Sequence, residues 1–384
     1  MNILYIANPH SVHDIKWMEF FSNKLGYKVY IVAEKREVKG DMEVLKQSLA
    51  NKNITLVGTL NSFSLSHLYD FFKSTRDLKR FIKQYEIDIV HILFATPYAL
   101  WSSFGRKPYV ITTRGSDALI VLPDLLHQQG LKAIYFKGLF YMFKKAFLEA
   151  AAVTSTSARQ LQKLEEMFGP IKNGRIIKTG VDVQDIAATN NFSDLPLELT
   201  GRKFVFSPRY IKPVYNTLLQ AEGISLLKDS LLEEYTFVFL KGNNSSSDYC
   251  NKLIEKLEAI KKSRPLHYII LNELTQLQIR QYYKRAALTI MTPISDGTPN
   301  TALEAMAAEC PLIIPMLDYD KDVFEGSCMI LNNFDPAELA KKIEIALTSY
   351  PKKLTEIAFD KVLKYGNRPT EMARLNDVYK SLGK

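Results

Sequence analysis

The sequence predicts an α/β protein made of two halves, each built on a parallel sheet, and three observations carry that expectation. Its 384 residues exceed one ordinary domain. Short apolar runs alternate with helical patterns along the whole chain, the order that builds parallel sheets. The alternation breaks once, at 183–201, a stretch rich in Asn, Asp, Thr and Pro that reads as a linker. Two such halves are expected to form a cleft, with ligands outside the carboxyl ends of the strands.

The elements follow in order. Asn2 to Ala7 is an apolar run that ends in the loop Asn8-Pro9-His10-Ser11-Val12-His13. Trp17, Phe20, Phe21 and Leu25 then recur at helical spacing, Gly26 closes the helix, and Tyr27 to Ala33 is the next strand. Ile54 to Val57 and Ile87 to Leu93 read as strands around a helix from about Leu65 to Tyr85. Tyr109 to Thr113, Ala152 to Ser155 and Ile176 to Thr179 complete this half, the last leading into Gly180-Val181-Asp182. In the second half Phe204 to Ser207, Tyr235 to Lys241, Tyr268 to Asn272, Leu288 to Thr292 and Leu312 to Pro315 are strands. Cys250 to Lys261, Thr275 to Arg285 and Thr370 to Leu382 are helical, and Asn243 to Ser247 is a polar loop. The domains are expected at 1–185 and 202–369, with a terminal helix at 370–384 that packs back on the first.

Composition narrows the function. Apolar residues make up 47% and charged residues 24%, the balance of a soluble globular protein. No run reaches the ~18–20 apolar residues of a membrane span. No basic residue precedes the short opening apolar run, so a secretory signal is not expected. Three cysteines, Cys250, Cys310 and Cys328, are too few and too scattered for a disulfide framework or a zinc site. A cytoplasmic protein is expected. The formal charge of +9 admits nucleic acid, an anionic membrane or a phosphorylated ligand as partner.

Residues 291–315 are the most informative. An apolar strand ends at Thr292, Asp296-Gly297-Thr298 forms a loop, and Pro299 is expected at the first helical position with Thr298 as N-cap. Gly297 lets backbone approach a ligand. The amides of Gly297, Thr298, Asn300 and Thr301 are expected free, an anion site reinforced by the helix dipole. Glu304 lies inside an alanine-rich helix, where a carboxylate needs a partner.

With its two acids separated by seven residues around Gly-x-Pro-Asn, the segment resembles the signature of glycosyltransferase family 4. The resemblance implies the GT-B fold, two Rossmann-like domains with parallel sheets facing across a cleft, and retaining transfer from a nucleotide-sugar. It implies that Glu304 binds the ribose hydroxyls and that Asp296 contacts the donor sugar, with Gly297, Thr298, Pro299 and Asn300 supporting sugar and diphosphate. Asp296 stands where many members have Glu, and Glu309-Cys310 where they usually have Gly before the Pro. In Ser207-Pro208-Arg209-Tyr210-Ile211-Lys212, Arg209 matches the family's diphosphate-binding Arg. The usual Lys falls near Tyr215, and Lys212 is its candidate substitute. On the acceptor side, His13 matches a recurrent His. Arg114 replaces the His of a His-Gly-x-Asp loop that retains Gly115 and Asp117.

Such a transferase needs no metal and no cofactor, the nucleotide-sugar being a substrate. Its expected partners are that donor and a glycan or lipid-linked acceptor. His91, inside an apolar strand, reads as a core histidine, and Asp318-Tyr319-Asp320 as a surface loop rather than a metal motif. Leu131 to Leu148 mixes aromatics with lysines, and two readings stand: a core helix with lysines outside, or an interfacial helix at an anionic membrane. Nucleic acid is disfavoured, because no recognition motif occurs and the basic residues are dispersed. The alternatives are a GT-B sugar-nucleotide epimerase and a non-catalytic nucleotide- or nucleic-acid-binding protein.

Overall fold

A computed structural model describes residues 1–61, 68–127, 129, 131–242 and 245–383. The first residues of the helix expected from Leu65, and Asn243-Asn244 of the polar loop, lie outside them. The chain forms two compact units, Met1–Thr179 joined by the residues from Pro369 onward, and Gly180–Arg368.

In the first unit β1 (Asn2–Ile6), β2 (Lys28–Glu34), β3 (Ile54–Leu60), β4 (Ile89–Leu93), β5 (Tyr109–Thr113), β6 (Ala152–Ser155) and β7 (Gly174–Ile176) form one parallel sheet. Its order is β3-β2-β1-β4-β5-β6-β7. The central strands are apolar at nearly every position because helices cover both faces. Leu4, Ile6, Val90, Ile92 and Ile111 enter one core, and Ile3, Tyr5, Ile89, Leu93 and Val110 the other. β7 ends at Ile176, earlier than the apolar run implied, because the buried Ile177 belongs to the core beyond the strand.

The helix Arg368–Leu382 buries Met372, Leu375 and Tyr379 in the second of these cores. Tyr379 meets the Tyr5 hydroxyl at 3.0 Å and His91 Nδ1. His91 Nε2 in turn lies 2.6 Å from Thr112 Oγ1, which bonds to Thr154. Burial, and then the charge of Arg114, hold the His91 pKa well below its ordinary value, so it is a neutral core histidine.

The second unit has β8 (Lys203–Tyr210), β9 (Tyr235–Leu240), β10 (His267–Leu271), β11 (Leu288–Ile290), β12 (Leu312–Pro315) and β13 (Met329–Leu331). These also form a parallel sheet, in the order β10-β9-β8-β11-β12-β13. β13 escaped the sequence because three residues show no period. Residues 183–201, expected as a bare linker, carry the helix Val183–Ala187 and a turn at Leu197–Leu199. Val183, Ile186 and Leu199 enter this unit's core.

Where the chain enters and leaves this unit, Val181 pairs with Asn367, and Arg368 reaches Asp182 at 2.6 Å and the Gly180 carbonyl at 2.9 Å. Gly180 has φ +72°, and a Cβ there would stand 2.7 Å from Arg368 Cα. No other residue meets both conditions without strain.

Candidate active site

In the second unit the loops after β8 and β11 are tied together. The Thr292 hydroxyl lies 3.1 and 3.0 Å from the carbonyls of Tyr215 and Asn216, and Gln220 donates to it at 3.0 Å. The Ile294 amide donates to the Val214 carbonyl at 2.9 Å. Asn216 sits in the left-handed region at φ 48°, which Asn tolerates, and this turns the chain into the helix Thr217–Ser225.

Arg209 is held on three sides. Its guanidinium donates to Asp296 Oδ2 at 2.7 Å and to Thr301 Oγ1 at 3.2 Å, and it stacks on the Tyr215 ring at 4.0 Å. Thr301 is the second residue of the helix Asn300–Ala307, so the cation stands at the positive end of a helix dipole. Tyr215, at the place of the family's Lys, thus orients the Arg instead of adding a second charge. Lys212 opens the turn Pro213–Tyr215 and makes no ion pair among the described residues.

The helix start differs from the expectation. Pro299, not Thr298, is the N-cap, with φ −70° and ψ 125°, and its carbonyl receives the amides of Ala302 and Leu303. Thr298 is free to donate its hydroxyl to Asp320 Oδ2 at 2.7 Å. The Gly297 amide is not free either, because Asp296 Oδ1 accepts from it at 2.8 Å. Asp320 is therefore a buried part of this group and not the surface acid expected. Beside it Tyr319 feels the charges of Asp296 and Arg209. Its hydroxyl is buried, pushed up chiefly by desolvation, and has no hydrogen-bond partner among the described residues.

Glu304 is 8% exposed. Burial and then this carboxylate raise the Tyr283 hydroxyl well above its ordinary pKa, while Arg209 opposes them. Burial lowers the pKa of Arg368, against Asp182 first and then Glu304. Glu304 thus lies within electrostatic reach of the Arg368 cation and of the Tyr283 hydroxyl.

The helix closes in a Schellman turn: Cys310 N donates to the Ala305 carbonyl and Glu309 N to that of Met306, with Glu309 at φ 57°. A left-handed Glu at an exposed site is strained. Glu309→Gly is expected to stabilise the protein by about 0.5–1 kcal/mol, readable as a raised melting temperature. A lowered one would refute the strain.

In the first unit Arg114 follows β5 and donates to Asp14 Oδ1 at 2.6 Å and Thr179 Oγ1 at 3.0 Å. It lies 4.1 Å above the Trp17 ring, whose Nε1 donates to the Thr179 carbonyl at 2.9 Å. Burial raises the Asp14 pKa, and Arg114 opposes that rise. His13 is half-buried on the first turn of the helix Val12–Glu19, next to Asp14. Asp117, expected to face an acceptor, is fully buried. Its Oδ1 accepts from the amides of Arg114, Gly115 and Ala118, each at 3.0 Å, and its Oδ2 from Ala95 at 2.8 Å. It shapes the loop that presents Arg114, and its oxygens are taken.

Residues 2–157 match the Glycosyl transferase 4-like model, and 204–349 the Glycosyl transferases group 1 model. The chain belongs to the glycosyltransferases that these two models describe.

Among curated relatives, this glycosyltransferase is 24% identical over 238 residues to a Bacillus subtilis protein named as a teichuronic acid biosynthesis glycosyltransferase, TuaC. The match covers 59% of the chain and only 52% of TuaC, about half its length. Solved structures share the fold. A glycosyltransferase from Rickettsia africae superposes with a TM-score of 0.76 at 15% identity, over 100% of this chain and 98% of that one. Anabaena HepE in complex with UDP and glucose gives 0.74 at 15% identity over 100% of both chains. A UDP-forming trehalose-phosphate synthase from Burkholderia xenovorans gives 0.76 at 13% identity, again over 100% of both. The GT-B fold class is thereby established.

Asp14, Tyr215, Thr301, Tyr319 and Asp320 were not singled out as site residues, although each lies in a loop or first helical turn after a strand, nor was Trp17, one turn further along the helix of Asp14. That position was the available signal. Among the described residues no three His, Cys, Asp or Glu side chains cluster to hold a metal ion.

Proposed function

We propose that this glycosyltransferase is a retaining enzyme that moves a sugar from a nucleoside-diphosphate sugar to a glycan or lipid-linked acceptor. It would act in polysaccharide or glycoconjugate assembly, in the cytoplasm or at the inner face of the membrane. One observation carries the donor half: an Arg held at the N-terminus of a helix. A cation there costs about 0.3–1 kcal/mol unless an anion answers it, and Asp296 answers only one edge of the fork. Arg209 Nε is buried without a partner among the described residues, as is the hydroxyl of Tyr319, which feels its charge. Buried polar atoms of this kind are ordinarily satisfied by water or a ligand, and a diphosphate has acceptors for both.

In this reading Arg209 and the helix start stabilise the departing diphosphate, with Lys212 as a second cation. Glu304 accepts from the ribose hydroxyls, and Asp296 accepts from a sugar hydroxyl. Gly297, Thr298, Pro299 and Asn300 shape the floor. The acceptor side falls to His13 and Arg114. The bond from the anomeric carbon to phosphate oxygen breaks as the acceptor oxygen bonds to the same face. Its proton passes to the leaving phosphate oxygen, so neither a protein base nor a metal is required. Preorganised charge lowers the barrier.

UDP is the first nucleotide to test, since it is bound in the HepE structure and UDP is formed by the trehalose-phosphate synthase. Calorimetry with UDP, GDP and ADP is expected to show binding by one of them. No binding by any would remove the donor reading. Donor turnover that does not require an added acceptor sugar would favour the epimerase.

A further inference from the structure

The helix Leu131–Glu149 has two faces, and among the described residues only one of them is buried against the protein. Phe143, Ala146 and Phe147 are buried in the first unit's core. On the other side Ile134 is 75% and Tyr141 68% exposed, with Leu148 also exposed. These three lie seven residues apart, within about 40° of one another around the axis at 3.6 residues per turn. Lys137 and Lys144 fall along one flank of that stripe, and neither is salt-bridged among the described residues. The helix Leu68–Gln84 packs on the same segment, Ala99–Phe104, and exposes Tyr69 to 79% and Phe72 to 62%. Single exposed apolar residues are ordinary, but four this exposed on neighbouring helices of one layer are not.

We propose that this face docks on an anionic bilayer, the two helices lying on the surface with aromatic and aliphatic side chains at the headgroup boundary. Lys137 and Lys144 would rest over lipid phosphates. Charge favours this occupant: a second copy would bring lysines against lysines, whereas an anionic surface complements them. No described helix is long and apolar enough to cross the membrane, so the contact is one of lying on it. The inference deepens the acceptor half of the proposed function and is independent of its donor half.

Flotation of the full chain with phosphatidylcholine vesicles, with and without about one third phosphatidylglycerol, tests it. The wild type is expected to float with the anionic vesicles only. Ile134→Asp with Tyr141→Asp, and separately Lys137→Glu with Lys144→Glu, should each lower that partition by roughly tenfold or more. Both variants should keep the wild-type melting temperature and nucleotide affinity, since these side chains are at the surface and the donor residues lie in the other unit. Failure of the wild type to float, or variants that float equally well, would overturn the proposal. So would a wild-type dimer that the Ile134→Asp/Tyr141→Asp variant dissolves, which would assign the face to a second copy. Loss of nucleotide binding with flotation intact would strike the donor reading alone.

Discussion

Glu304→Ala is expected to weaken binding of the nucleoside diphosphate roughly 30- to 150-fold, while the protein stays folded. Hydrogen bonds to a charged acceptor contribute about 1.5–3 kcal/mol, and about 2–3 kcal/mol corresponds to that range. The fold should tolerate the change. Arg368 keeps its 2.6 Å bond to Asp182, so removing Glu304 leaves no isolated cation, and the helix around the site is already alanine-rich. Glu304→Gln separates charge from shape: it can still accept one hydrogen bond and should recover part of the loss. Calorimetry and a thermal melt on both variants read the two effects apart. An Ala variant with wild-type affinity would remove Glu304 from the nucleotide site.

Arg209→Ala is expected to lower kcat by about a hundred- to a thousandfold, the magnitude found when one preorganised donor to a developing oxyanion is removed. The nucleoside diphosphate should bind less well and the monophosphate nearly unchanged, because the lost contact is to the outer phosphate. Arg209→Lys should recover little. An ammonium cannot reach Asp296 and Thr301 together while stacking flat on Tyr215, and those three contacts fix the direction of the charge. A Lys variant close to wild type would show that charge alone is enough and that the Tyr215 platform is incidental.

The order of elements was legible because both sheets are covered on two faces. Their strands therefore read as short apolar runs between helices, as Ile89–Leu93 and Tyr235–Leu240 do. Elements too short or too exposed to show a pattern were not: β13 has three residues, and β7 is buried on neither outer residue. At the site the spacing of Asp296 and Glu304 drew attention to the helix that carries Glu304. The local hydrogen bonds were illegible, because they depend on residues distant in sequence. Thr298 turned from capping to Asp320, 22 positions away, and the Arg114 partner Asp14 lies 100 positions back. Asp117 illustrates the converse. An acid in a loop after a strand looks available, and only its four backbone amides show that it is not.

The helix Arg368–Leu382 has a consequence for how the chain is made. During synthesis residues 1–179 emerge before the second unit, and their sheet can begin to pair at once. Tyr379, which completes the line from Tyr5 through His91 to Thr154, emerges only after the whole second unit. Until then the core around Ile3, Tyr5 and Trp17 lacks Met372, Leu375 and Tyr379, and the part of the sheet's face that they cover stands open, although Ile15, Met18, Leu45 and Leu49 already enter the same core. The unit made before the other is thus finished after it. The second unit can fold without waiting for it, while the first remains open to misassociation for the time the ribosome takes to add some two hundred residues.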